Sequence, residues 1–128
     1  MVIALSTKDE WEFTAPQDDE LPEEKRTTWI LGRLSIEDEA WVTDLMTTST
    51  GVPMGTAMRR LLPKYLRGVR NWKDGAGEDV VLERKDGFTT SAALARIPRD
   101  VKSSITRAVI LQTGLEAADA KKSEQPST

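Results

Sequence analysis

The sequence predicts an α+β protein: an N-terminal antiparallel β-hairpin, then three to four helices with a short strand and turn inserted, then a disordered C-terminal tail. Three observations predict it. Polar and apolar residues alternate over 10–15, and residues 27–34 are rich in β-favouring side chains. Apolar residues recur at helical spacing after Ser35 and again from about residue 54. A third helical stripe follows Pro98. The 128 residues, 38% of them apolar, suit one modest core. We place a single domain over 1–115 and the disordered tail over 116–128.

In the first strand Trp11 and Phe13 share a face, since successive strand side chains point to opposite sides. The second strand covers Thr27 to Leu34. Between them lies Pro16 to Arg26, acidic and carrying Pro16 and Pro22, which predicts a long, mobile hairpin loop over 16–26. Ser35 is a good helix N-cap, and Glu37, Asp38 and Glu39 fill the first turn, where the helix dipole favours acids. Asp38 stands three residues after Ser35, approximating a capping box. Trp41, Val42, Leu45 and Met46 form the apolar stripe, and Thr47 to Gly51 ends the helix.

Met58, Leu62, Tyr65, Val69 and Trp72 recur at spacings of four and three, so one helical face is expected to run through roughly 54–72, kinked at Pro63 or split there into two short pieces. A Gly-rich turn follows at Asp74–Gly77. Val80 to Glu83 is a strand candidate, and Lys85-Asp86-Gly87 a further turn. Ser91 is placed as the cap of a short helix reaching Ile97. Pro98 opens a last helix over 98–113, with Val101, Ile105, Ala108 and Val109 as its stripe, Leu111 on its flank and Gly114 as its C-terminal cap.

Composition narrows the chemistry. The chain has no cysteine and no histidine. Thiolate nucleophiles, cysteine metal sites, and serine–histidine or histidine–zinc arrangements therefore cannot be built. Each carboxylate cluster has a simpler reading. Asp18, Asp19 and Glu20 sit in a loop without an apolar pocket, and Glu37 to Glu39 open a helix. Asp74 to Asp79 lacks the spacing of a calcium loop. No catalytic residue, cofactor or metal is expected. No apolar run is long enough for a signal peptide or a membrane span, so the expected location is cytoplasmic.

Charge is unevenly spread within the net −3. Residues 1–28 hold eight acids and three bases, whereas 55–73 hold six bases and no acid. Such a split marks either internal complementarity or two contact surfaces of opposite sign. The candidate partner-binding residues are Arg59, Arg60, Lys64, Arg67 and Arg70 on the basic segment, and Asp18, Asp19 and Glu20 in the acidic loop. Of the four tryptophans, Trp29, Trp41 and Trp72 lie on apolar faces and read as core. Trp11, near an end, is a candidate anchor for a partner.

A second outline points elsewhere. A strand over Trp29 to Leu34, a capped helix, a Gly-centred break and a basic helix sketch a ribbon-helix-helix DNA-binding dimer. Only Arg33 on that strand could read a base, and six bases on an acidic chain are a weak footprint for nucleic acid.

The stretches Gly55-Thr56-Ala57-Met58, Leu66 to Asp74, Ala92 to Pro98 and Leu115 to Ser123 resemble small proteins encoded in the structural-gene clusters of tailed bacteriophages. The acidic Pro-containing loop and the Thr27-x-Trp29-x-Leu31 strand fit the same pattern. Arg70-Asn71-Trp72, in place of a Gly-Trp spacing, and Pro63 depart from it. The nearest functional class is the phage tail assembly chaperones, which bind tail proteins during assembly and are generally absent from the finished particle. The resemblance implies a non-enzymatic assembly or structural accessory protein, acting on tail or capsid components in the host cytoplasm. A head–tail or capsid accessory protein of the virion is the alternative it leaves open. Self-association fits either role.

Overall fold

In the computed structural model, residues 10–48 and 53–111 are described. The expected hairpin forms: β1 (Glu10–Phe13) pairs antiparallel with β2 (Thr28–Gly32), Trp11 opposite Leu31 and Phe13 opposite Trp29. Helices α1 (Ile36–Thr48), α2 (Met54–Tyr65), α3 (Ser91–Ala95) and α4 (Arg99–Leu111) follow, giving the α+β architecture expected. The break after α1 extends past the described residues, and Gly114 and the tail 116–128 lie outside them.

One element differs in kind. The helix expected to reach residue 72 stops at Tyr65, and Leu66–Arg70 becomes β3, which completes the sheet in the order β1-β2-β3. Local and tertiary causes agree. Pro63 has no N–H for the last turn, and Gly68 and Val69 are poor helix formers. The free edge of β2 offers hydrogen bonds that a helix would leave unmade. Gly68 pairs with Ile30, and a Cβ there would already stand 3.4 Å from the Ile30 side chain. The spacing of Val69 and Trp72 that mimics a helix serves the sheet instead. Val69 opposes Trp29, and Trp72 packs its ring 5.4 Å from that of Trp29.

The pleat separates two faces. Trp11, Trp29 and Leu31 point inward against α2 and α4, joining Leu61, Leu62, Tyr65, Leu66, Ile105 and Val109 in the core. Trp11 is 93% buried by this packing, so it is a core residue and not the surface anchor expected of it; its indole Nε1 has no hydrogen-bond partner among the described residues. The outward face carries Glu10, Glu12, Ile30, Gly32, Gly68 and Arg70. A bulge at Arg67 turns its side chain over Gly32, where a Cβ would lie 2.5 Å from Arg67 Nε. β2 is thus the central strand with both edges paired. The ribbon-helix-helix outline requires that strand to pair with a second subunit, and this fold leaves it no free edge.

Residues 80–83, a strand candidate, are irregular, and Val81 is exposed. The strand pair lies just beyond, as β4 (Arg84–Lys85) and β5 (Phe88–Thr89). Asp86 and Gly87 both have positive φ, the backbone a tight two-residue hairpin turn demands. The short helix is capped by Thr90, one residue earlier than expected, whose hydroxyl accepts from Ala93 N at 3.2 Å. The Asp74 turn forms as read. Its carboxylate accepts from Ala76 N at 2.9 Å and Glu78 N at 3.0 Å, and these donors hold the carboxyl below its usual range.

The loop 16–26 is tied down where mobility was expected. Two 3-10 turns, Pro16–Asp18 and Glu23–Lys25, shape it. Asp18 accepts from Thr27 N at 2.9 Å, and Arg26 donates to the carbonyls of Asp19 and Leu21, both at 2.8 Å. Asn71, in a left-handed conformation just after β3, donates to the Glu24 and Arg26 carbonyls and accepts from Thr27. Asn71→Ala should therefore lower the unfolding free energy by about 2 kcal/mol, combining lost hydrogen bonds with a backbone alanine tolerates less well. Asn71→Gly loses the same side-chain bonds but not the backbone compatibility, and should cost less. Urea denaturation followed by tryptophan fluorescence measures both; equal losses would show that the backbone conformation contributes nothing.

Candidate functional site

The basic segment folds against acids. On α2, Arg60 and Lys64 are one turn apart, a like-charge spacing that destabilises an isolated helix. Asp38 of α1 sits between them: Arg60 Nε donates to Oδ1 at 3.1 Å and Lys64 Nζ to Oδ2 at 2.9 Å. Asp38 itself is buried. The Tyr65 hydroxyl donates to its Oδ2 at 2.5 Å while accepting from Ser35 N at 3.0 Å. Ser35 Oγ in turn accepts from Asp38 N at 3.2 Å, the N-cap bond expected of it. A tyrosine is thus inserted into the capping box, receiving the N-cap amide that the acid would otherwise reach. Arg60 also lies 4.4 Å over the Trp41 ring. Asp38 and Val42 are the only buried side chains of α1 among those described, so this network is the main polar tie holding α1 to the body.

The remaining cations divide. Arg70 pairs with Glu12 across the outward sheet face. Arg67 stands 3.8 Å from Glu10, too far for a hydrogen bond. Arg59 is exposed and has no ion-pair partner among the described residues. Arg84 was not anticipated. Its guanidinium donates to the carbonyls of Leu66, at 2.9 Å, and Gly87, at 2.5 Å, and Thr89 Oγ1 donates to the same Leu66 oxygen. These bonds pin the β4–β5 hairpin to the junction of α2 and β3. Burial, then the charge of Arg67, push Arg84 below the usual arginine value. Lys64, Arg67 and Arg84 together line an open cleft of about 510 Å³, with Glu10, Asp86, Gly87 and the half-exposed Phe88.

The acidic loop lies at the other end of the sheet. It joins β1 to β2 beside Phe13 and Thr28, whereas the cleft borders Glu10 and Arg67, at the end where β3 begins. Asp18 is engaged by the backbone, but Asp19, Glu20, Glu23 and Glu24 are exposed and make no ion pair among the described residues, around a Leu21 that is 41% exposed. The fold therefore gathers Arg60 and Lys64 at Asp38 and puts Lys64 and Arg67 in one cleft. It keeps all of them away from the acidic loop.

Sequence reasoning missed Asp38, Tyr65, Arg84 and Phe88 as surface or network residues. Ser35-x-x-Asp38 was visible as a cap, but nothing local linked it to Tyr65. Among the described residues no group of acids converges as a metal site, and no helix is long and apolar enough to cross a membrane. Comparison with known proteins finds no matching family model, curated relative or solved structure.

Burial raises the Asp38 carboxyl, but the bonds from Tyr65, Lys64 and Arg60 outweigh it, and its pKa falls from the ordinary 3.8 to about 2. A lowered folded-state pKa stabilises the fold above pH 4, and that stabilisation is lost as pH falls through 2. It amounts to about 2 kcal/mol. In denaturant titrations the native chain should lose this increment between pH 4 and pH 2, while Asp38→Asn should be flatter across that window; identical slopes would contradict the assignment. Tyr65→Phe strips a donor from Asp38 and an acceptor from Ser35 N. It should cost about 1–3 kcal/mol in thermal or urea unfolding, and a neutral result would mean water replaces the hydroxyl.

Proposed function

We propose that this chain is a non-enzymatic bacteriophage assembly accessory protein that acts by protein–protein binding, of the tail-assembly-chaperone kind its sequence resembles. One observation carries the binding part of this reading. Folding pairs Arg60, Lys64 and Arg70 with acids of the chain's own body, yet leaves Asp19, Glu20, Glu23 and Glu24 of loop 16–26 exposed and, among the described residues, without an ion-pair partner. Internal complementarity thus accounts for much of the basic segment and for none of the loop. A loop held by hydrogen bonds at Asp18, Arg26 and Asn71 loses little conformational entropy on binding, which favours association. Its exposed Leu21 adds an apolar contact among the carboxylates. The complementary partner is a basic surface of a tail or capsid component. On this reading the chain works in the host cytoplasm during assembly; the DNA-binding alternative is disfavoured because β2, with β1 and β3 on its two edges, has none left for a second subunit.

The triple reversal Asp19→Lys, Glu20→Lys, Glu23→Lys should leave circular dichroism unchanged and weaken capture of co-expressed tail or capsid proteins by tenfold or more, on the order expected for charge reversal at a steered interface. Unchanged capture would rule out the loop as the contact. Mass spectrometry of finished particles separates the two roles: a chaperone is missing from them, a virion component present.

A further inference from the structure

We infer that the cleft formed by Lys64, Arg67, Arg84 and Phe88 is a docking site for the acidic loop of a second copy of this chain, so that copies associate head to tail. This rests on the reading of the loop as a contact surface and names one partner for it. The cleft carries the inference. Arg67 and Arg84 line the same cleft, close enough for the charge of Arg67 to act on Arg84, yet among the described residues neither hydrogen-bonds a carboxylate. Arg84 donates to carbonyl oxygens only, and Arg67 lies flat over Gly32 with Glu10 out of bonding range. Two guanidiniums in one cleft, with N–H groups left over and a half-exposed ring in the same wall, suit a carboxylate next to an apolar side chain.

The chain supplies such a segment. Asp19-Glu20-Leu21 presents two exposed carboxylates followed directly by an exposed leucine. It cannot reach the cleft of its own molecule. The loop leaves the sheet beside Phe13 and Thr28, and the cleft lies at the Glu10 and Leu66 end, roughly 15 Å away along strands of four to five residues. Complementary surfaces at opposite ends of one rigid sheet make a heterologous contact, which propagates as a ring or a filament and leaves one loop free at the end of an open chain. Nucleic acid fits less well, because three cations bounded by Glu10 and Asp86 have room for one or two carboxylates and not for a continuous run of phosphates.

The test is sedimentation of the full chain across protein and salt concentration. At low ionic strength the weight-average mass should climb above the 14.2 kDa of one copy as protein concentration rises, and salt should reverse this. The cleft variant Arg67→Glu with Phe88→Glu leaves Arg84 and its structural bonds in place. It and the triple loop reversal should each weaken association on the order of tenfold. An equimolar mixture of the two variants should associate again, since each reversed surface then meets its opposite. Should the double cleft variant fail to fold, Arg67→Gln, which keeps the side chain over Gly32, should give a smaller weakening. A single-copy mass up to about 1 mM chain, association indifferent to the cleft variants, or a mixture that stays dissociated would overturn the inference. Tight duplex-DNA binding lost in the cleft variant would overturn it as well. Loss of structural-protein capture in the loop variant, with the native chain remaining a single copy, would sink this inference and leave the proposed function standing. Self-association without any effect of the loop on capture would do the reverse.

Discussion

Helix α2 passes into strand β3 with no loop between Tyr65 and Leu66, and the rest of the structure hangs on that junction. The last helical residue sends its hydroxyl to Asp38 and Ser35 and so fixes α1. The first strand residue leaves a carbonyl that no helix partner can take, and Arg84 and Thr89 donate to it, which fixes the β4–β5 hairpin. The strand that follows closes the open edge of the hairpin made by β1 and β2. Two adjacent residues therefore connect sheet, helices and hairpin. Both are almost wholly buried, so their polar atoms must find partners within the protein.

The same junction decides the electrostatics. Had α2 continued to residue 72, Arg67 and Arg70 would have extended a basic helix. The change to strand instead places Arg70 beside Glu12 and swings Arg67 over Gly32 toward Glu10. Asp38 absorbs Arg60 and Lys64 on the helical side. What sequence alone presents as a cationic face becomes a set of internal ion pairs with a cleft at its edge. The exposed pairs contribute little to stability, because solvent screens them. Asp38 differs, being buried and approached by three donors.

The acidic loop owes its order to contacts distant in sequence. Asn71, which follows β3, binds two of its carbonyls, and Gln17 reaches Ser104 on α4. Its carboxylates are thereby offered to solvent on a fixed frame, in place of neutralising the cations of the same chain. This arrangement supports the reading of the loop as a recognition surface.

The sequence by itself determined the elements whose signals are local. Alternation found β1, β-favouring side chains found β2, Ser35 and its acids found the start of α1, and the Asp-Gly and Gly-rich segments found the turns. Missing cysteine and histidine removed whole classes of chemistry before any fold was known. Tertiary structure decided that Leu66 to Arg70 is strand, because Val69 and Trp72 continue the helical spacing, and Pro63 and Gly68 weaken a helix without naming the open edge of β2 that takes its place. It also decided that Trp11 is core, since strand alternation names a face but not what covers it. The charge split was legible as a pattern, yet which charges remain free was not. That depends on Asp38, Glu10 and Glu12 meeting cations up to 58 positions away in sequence, and no local rule carries information over that distance.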